Sequence, residues 1–462
     1  MNLRSSCFSA PPIAAVCTAP GKAAIAVVRI SGSGAFRIAD ALCSGVAEMG
    51  AGEFRLRKIR DPRFGSGEVI DEAIVLAFRA PHSYTGEDVV EFQTHGGAMS
   101  AARVLEAALA LGAEPAGAGE FTKRAFLNGR LDLSAAEAVM DLIGAESERA
   151  ARTAAEQLGG ALGRRIGAML DALLAVCADI EASLDFADDE TSSILAPARV
   201  PERLDELRRS VRALSATWRE GRLLREGALV VLSGAPNAGK STLFNALLGT
   251  ARSIVTDIPG TTRDSVEEAL VIDGIPIRLA DTAGIRVADS VIERLGVERA
   301  EDLIAKADLN LQLADLSDFD GVPRACADNV LTVYAKADLF DALPENALCV
   351  SALTGAGLDA LKAAISAKLL SASAVSSSSA GTTAVSARHR ALLDEAADAI
   401  DAALKACGSG AGDRSGDCAV ADSAAITAQS LRAAAESLGR ITGRVYSDEL
   451  LNAVFTRFCV GK

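Results

Sequence analysis

The apolar and polar positions fall into three successive patterns along the chain. Up to about residue 125, short β-branched runs alternate with turn signals: Ile25 to Ile30, Ala73 to Phe78, and the half-apolar Glu87 to Thr94, which ends at Gly96-Gly97. Such runs predict strands, and residues 1–127 read as a small α+β domain. From Leu133 to about Arg225, Ala/Leu-rich stretches carry charges at helical spacing and few Gly or Pro, so residues 128–225 read as a helical segment. Between Ala228 and about Leu370 strands and helices alternate, the pattern of a parallel sheet with crossover helices, and residues 226–372 read as a doubly wound domain. Ser371 to Ser386, SASAVSSSSAGTTAVS, is too polar and too simple to pack and reads as a linker. Helical periodicity returns in Arg388 to Cys407, Val420 to Leu438 and Ser447 to Phe458. The economical arrangement is a multidomain α/β + α chain. The doubly wound domain is inserted into a discontinuous helical domain, whose second part lies within residues 373–462 and pairs with the first across the insertion.

Length and charge narrow the functional classes. The 462 residues suffice for about three domains with cores of their own. No apolar run approaches the roughly 20 residues that cross a bilayer, and the first residues lack a signal peptide's apolar core, so a soluble, cytoplasmic protein without membrane contact is expected. Cys7, Cys17, Cys43, Cys177, Cys326, Cys349, Cys407, Cys418 and Cys459 make no CxxC pair, which predicts reduced thiols and no zinc site. His82, His95 and His389 have no metal-binding spacing either. A net charge of −14 argues against wrapping nucleic acid unaided, although a basic partner can supply that surface.

The chemistry is concentrated between Gly234 and Leu353. The apolar strand Ala228 to Leu232 runs into Gly234-Ala235-Pro236-Asn237-Ala238-Gly239-Lys240-Ser241, and a helix, Thr242 to Leu248, follows and is closed by Gly249. This is a P-loop in its required context. Its backbone N–H groups converge on phosphate oxygens, Lys240 adds a point charge between the β and γ groups, and the Ser241 hydroxyl can bind Mg²⁺. Asp281-Thr282-Ala283-Gly284 ends a strand, placing Asp281 near the magnesium and Gly284 beside the γ-phosphate. After the strand Val330 to Tyr334, Lys336-Ala337-Asp338 offers a carboxylate to guanine N1 and its exocyclic amine, a pair of donors that adenine lacks. Ser351-Ala352-Leu353 occupies the last guanine-contact position. The four elements in this order predict a Ras-like GTPase. One residue departs from the pattern: the guanine motif ordinarily begins with asparagine and here begins with Ala335, which predicts a looser site by roughly 0.5–1.5 kcal/mol.

Hydrolysis needs something to orient water, and Ile285, the residue after the DTAG run, cannot. Two candidates stand in the sequence. The Asn237 side chain, with carbonyls of the loop Thr256-Asp257-Ile258-Pro259-Gly260-Thr261-Thr262, can hold a monovalent cation against the phosphates. Glu293 can orient water directly or through a second water, and as a bare sequence feature it is equally well a solvated helix carboxylate.

Several motifs taken together resemble the MnmE (TrmE) family of potassium-activated tRNA-modification GTPases over nearly the whole length: PGKAAIAVVRISG, SYTGEDVVEFQTHGG, GEFTKRAFLNGRLDLSAAEAV, GAPNAGKSTLFNAL, IVTDIPGTTRD, DTAGIR and the terminal FCVGK. The resemblance implies that Asn237, Thr256, Ile258 and Thr261 bind K⁺, that Ser241 and Thr262 bind Mg²⁺, and that Glu293 is the catalytic glutamate. It implies an N-terminal folate-binding and dimerisation domain for 5-formyl-tetrahydrofolate or a related folate, with Arg29, Glu91, Lys462 and Arg130 as contacts. Arg130 stands where a lysine is common, which keeps the charge and shifts the geometry. Cys459 in the terminal Cys-Val-Gly-Lys is either a reactive thiol or a small packing residue beside the pocket.

The implied function is GTP hydrolysis coupled to installing an aminomethyl or carboxymethylaminomethyl group at C5 of the wobble uridine of certain tRNAs. The implied assembly is a homodimer that joins an MnmG-type FAD protein in a heterotetramer. Two other readings stay open on the residues alone. A regulatory or ribosome-assembly GTPase switch fits the P-loop domain but not the folate motifs, and a folate-dependent one-carbon transferase would keep its activity when Asp338 is replaced.

Overall fold

The computed structural model describes residues 10–64, 67–185, 199–251, 267–281, 301–319, 327–371, 385–409 and 417–462. The chain divides into two compact units, one of residues 1–140 with 439–462, the other of residues 141–438.

The first unit is built on a six-stranded sheet of β1 (Ile13–Val16), β2 (Ile25–Ser31), β3 (Phe54–Asp61), β4 (Glu68–Phe78), β5 (Val89–His95) and β6 (Glu114–Pro115), in the order β3-β4-β5-β2-β1-β6. Only the β1–β6 pairing is parallel. Strand periodicity of two decides the faces. Ala14, Val28, Ile30, Val75, Val90 and Phe92 turn to one side, where they form a core with the helices Ala35–Leu42 and Ala98–Ala110. Ile13 and Ala15 turn to the other, against Phe121 of the helix Glu120–Leu127. Arg29 and Glu91, which are partners in register, share this second side.

The loop after Ala35–Leu42 is fixed by one carboxylate. Asp40 Oδ1 accepts the N–H groups of Gly45 (2.9 Å), Val46 (2.9 Å) and Ala47 (3.1 Å). These bonds, that from Ala47 foremost, hold the carboxyl below its ordinary range. Asp40→Ala removes the acceptor of three donors, two of which can turn to water, so the thermal midpoint of the first unit should fall by the equivalent of about 0.5–1.5 kcal/mol. Because the folded value is depressed, the contribution is complete above the unfolded value of about 3.9 and disappears as pH falls through the folded one. Calorimetry at pH 7 and in acid should therefore find the gap between wild type and D40A closing in acid.

In the second unit a five-stranded sheet runs β11-β10-β7-β9-β8, with β7 (Ala228–Gly234), β8 (Glu267–Ile272), β9 (Ile275–Asp281), β10 (Leu309–Asp315) and β11 (Val330–Ala335). It is covered on both faces. Ala228, Val230 and Leu232 pack toward the helices Lys240–Ala251 and Leu358–Ser371, while Leu229 and Val231 pack toward Leu303, Ile304 and Ala307. The expectation of a parallel sheet needs correction at one edge, because β8 is antiparallel to β9. The cause is the two-residue turn Asp273-Gly274, with φ of 48° and 77°, whose twist matches a hairpin. A second correction concerns Gly249, which lies inside the helix Lys240–Ala251 and does not close it.

Helices Glu148–Leu158, Ala161–Asp185, Val200–Ala216, Trp218–Glu226, Ala387–Ser409 and most of Asp417–Thr442 make the rest of this unit. Val200–Ala216 buries Leu204, Leu207, Val211 and Leu214 at helical spacing, and Ala387–Ser409 buries Leu393, Ala396, Ile400 and Ala403. The two helices are joined by Arg208–Asp401 (3.0 Å), Arg212–Asp401 (2.6 Å) and Ser215–Asp394 (2.6 Å). The expected linker is shorter at both ends than its composition suggested. Ser371 ends a helix, Val385 is fully buried with its carbonyl held by Arg225 (2.8 Å), and the Ser386 hydroxyl accepts the His389 N–H at the start of the next helix. The remainder, residues 372–384, lies outside the described residues. Among the described residues no helix is long and apolar enough to cross a membrane.

Candidate functional site

The nucleotide motifs converge where β7, β9, β10 and β11 end. Asn237, exposed at the loop's turn, has a φ of 62°, an uncommon backbone for a side-chain-bearing residue and one that asparagine tolerates. Lys240 is buried, and its Nζ donates to the carbonyls of Gly234 (3.0 Å) and Ala235 (2.8 Å), so its ammonium spans the loop it belongs to. Ala238 is buried against the sheet, and Gly239, Ser241 and Thr242 continue into the first turn of Lys240–Ala251, whose N-terminal end is a ready anion site. The Ser241 hydroxyl donates to Asp281 Oδ2 at 2.8 Å. A hydroxyl and a carboxylate meeting beside a phosphate loop are the hard oxygen donors that Mg²⁺ takes.

At the far side, Asp338 accepts the Ser351 hydroxyl at 2.5 Å, and the Ala337 N–H donates to Val350 O at 3.1 Å, which ties the guanine motif to the segment before Ala352 and the exposed Leu353. Lys336 has a φ of 62° and pairs with Asp315 at 2.7 Å. Ala335 is buried, and a methyl built on Gly239 would lie 3.8 Å from its Cβ. The position where an asparagine is ordinary thus faces the P-loop and carries only a methyl. Thr256, Asp257, Ile258, Pro259, Gly260, Thr261, Thr262, Thr282, Ala283, Gly284 and Glu293 lie outside the described residues.

A second cluster stands in the first unit. Arg29 Nε donates to Glu91 Oε1 at 2.7 Å, and the guanidinium lies 5.1 Å from the centre of the Tyr84 ring and 5.3 Å from that of Phe121. The Phe121 N–H donates to Lys462 O (3.1 Å), and Val460 bridges Ala118, so the end of the chain is laid along this side of the sheet. Gly461, φ 98°, is pressed so close that a Cβ there would sit 2.6 Å from Val16 O and 2.9 Å from Cys17 Cα. Burial pushes the Cys17 thiol up, against the pull of Arg29 and Lys462, with Glu91 acting in the same sense as burial. Cys459 is exposed, and its carbonyl accepts the Gly119 N–H at 3.4 Å. Arg130 is exposed and packs its Cγ over Gly86, two residues beyond Tyr84. The structure therefore brings Arg29, Glu91 and Lys462 together and adds Cys17, Tyr84 and Phe121, which the sequence reading did not single out. SYTGED carried the only available signal for Tyr84.

The family model described as MnmE helical domain matches residues 133–459, and that described as GTP-binding protein TrmE N-terminus matches residues 12–130. Over 466 aligned residues the chain is 43% identical to the tRNA modification GTPase MnmE of Thermus thermophilus, covering 100% of both chains. The chain belongs to the MnmE family of tRNA modification GTPases. The MnmE of Neisseria gonorrhoeae is 40% identical, covering 98% of this chain and 99% of that protein. Among solved structures, the G domain of the T. maritima FeoB iron transporter is 25% identical and covers 31% of this chain and 98% of that one, with a TM-score of 0.22. As an MnmE-family member the chain is a hydrolase acting on GTP.

Proposed function

We propose that this GTPase, with an MnmG-type flavin partner, builds an aminomethyl or carboxymethylaminomethyl group onto C5 of the wobble uridine of certain tRNAs, taking the one-carbon unit from a 5-formyl-tetrahydrofolate-type folate. The observation that carries the reading is the seating of Val460, Gly461 and Lys462 against the sheet that bears the Arg29–Glu91 pair. A plain switch GTPase has no use for such a cluster.

The folate, when bound, supplies the transferable carbon. Arg29, held by Glu91 and two ring faces, offers fixed donors to a planar heteroaromatic ring, and Glu91 offers acceptors beside them. Lys462 and Arg130 supply cations for an acidic tail. At the nucleotide site Lys240 and the loop amides bind phosphate, Ser241, Thr262 and Asp281 hold Mg²⁺, and Asp338 reads guanine. Asn237 with Thr256, Ile258 and Thr261 would hold K⁺, and Glu293 would orient water. The domain assignment that goes with this reading is 1–127 for folate and dimerisation, 226–372 for GTP, and 128–225 with 373–462 for the helical support. An exposed apolar strip on the sheet edge, Phe54, Leu56 and Ile74, favours a homodimer through the first unit.

Reconstitution tests the proposal. Purified protein, an MnmG-type FAD partner with NADH as reductant, unmodified tRNA, GTP, a reduced folate and ammonium or glycine should yield the C5-modified nucleoside by mass spectrometry, with none when GTP or folate is omitted. Product formed equally well without folate would overturn the one-carbon assignment. GTPase rates in KCl should exceed those in NaCl on the order of tenfold or more, and Glu293→Ala should lose the stimulated rate. A rate indifferent to the cation removes Asn237 as an ion ligand.

A further inference from the structure

β10 and β11 end side by side, with Asp315 opposite Ala335 in register. The next residue, Lys336, turns the chain in the left-handed region, φ 62° and ψ 36°, which is disfavoured for a lysine and persists only where the surroundings enforce it. Its Nζ bonds Asp315 Oδ2 at 2.7 Å. The other carboxylate oxygen, Oδ1, accepts both the N–H (3.1 Å) and the hydroxyl (2.9 Å) of Ser317. The carboxylate is thus held at one oxygen by the short turn Leu316–Asp318 and at the other by the lysine. The Lys336 ammonium, followed by the Ser317 bonds, keeps the Asp315 carboxyl down at about 2, so the carboxylate is ionised at neutral pH.

An ordinary exposed ion pair contributes little. This one differs because one partner is already immobilised and the other occupies a strained turn two residues before the base-reading Asp338. The usual brace is missing at the same place. An asparagine at the motif's first position would reach the P-loop with its amide, and the buried Ala335 presents a methyl toward Gly239 instead.

We propose that Asp315 is a positioning residue for guanine recognition, and that its pair with Lys336 orders residues 336–338 in place of the tie that Ala335 cannot make. The inference rests on the reading of Asp338 as the guanine acceptor.

The test is a titration of full-length wild type, Asp315→Asn, Ala335→Asn and the double variant with mant-GDP and mant-IDP, whose inosine base lacks the exocyclic amine. Asp315→Asn keeps the shape and removes the charge. It should weaken mant-GDP about three- to tenfold, narrow the preference for guanine over inosine, and raise KM for GTP without lowering kcat. In the Ala335→Asn background the same change should cost less than about twofold, because the restored amide carries the load. Equal losses in both backgrounds, or no loss, overturn the proposal. Should Asp315→Asn not fold, Ser317→Ala, which frees the carboxylate, should shift binding the same way to a smaller extent, and no shift overturns it. A wild type that fails to prefer mant-GDP over mant-ADP would instead bring down the guanine reading itself, and this inference with it.

Discussion

Replacing Lys240 by alanine should lower GTP hydrolysis on the order of a hundred- to a thousandfold, the loss typical when one preorganised charge or donor is removed from a transition state. The reason lies in how the ammonium is held. Lys240 is buried, and two of its donors are spent on the carbonyls of Gly234 and Ala235, at 3.0 and 2.8 Å. The geometry fixes the charge within its own loop before any phosphate arrives, so little reorganisation remains to be done as charge develops. Removing it should depress kcat and kcat/KM together and leave folding nearly intact, because the loop carbonyls stay within reach of water. Steady-state kinetics with a thermal melt in parallel would check this. A fall of less than tenfold would mean that the lysine is a structural strut.

Gly461→Ala should weaken folate binding in a direct titration by at least about tenfold in affinity and leave GTP hydrolysis within twofold. Both conditions for a glycine hold at this position. The φ of 98° is a backbone that L side chains rarely adopt, and the added Cβ would lie 2.6 Å from Val16 O. Neither obstacle involves a flexible side chain that can step aside. The terminal segment must lift from β1, carrying Lys462 away from Arg29 and Cys17. The nucleotide motifs belong to the other unit and share no residue with this cluster. If folate affinity survived, the seating of the chain's end would be irrelevant to the ligand.

The strands and helices were legible where periodicity was strong. Ile25 to Ile30 and Val330 to Tyr334 lie within observed strands, and Arg388 to Cys407 lies within an observed helix. The β8–β9 hairpin was missed although Asp273-Gly274 is a strong turn signal, because the alternation of strands and helices around it suggested parallel pairing throughout. Gly249 misled because tertiary packing of Leu243 and Leu247 carries the helix past a residue that on propensity alone would stop it. The P-loop was readable because its residues are local. The Arg29 cluster was readable only through motif resemblance, since its members are scattered from residue 17 to 462 and meet only when β1, β2 and β5 align. Asp315 was invisible for the same reason, as nothing local ties it to Lys336.

The contact between Arg225 and Val385 has an architectural consequence. The chain leaves the helical scaffold at Glu226 and re-enters it at a residue that touches the point of departure. The inserted body is joined there by two adjacent strands of chain, and it also rests on the helices through Ser147–Gly274 (2.6 Å) and the Arg222–Asp308 pair. Excising residues 227–384 and closing the gap with a few glycines should leave the helical scaffold's own packing uncut, and the excised piece has neighbouring ends suited to circular permutation. The junction and these two contacts together are routes by which a change in the nucleotide's state can reach the helices that carry the domain.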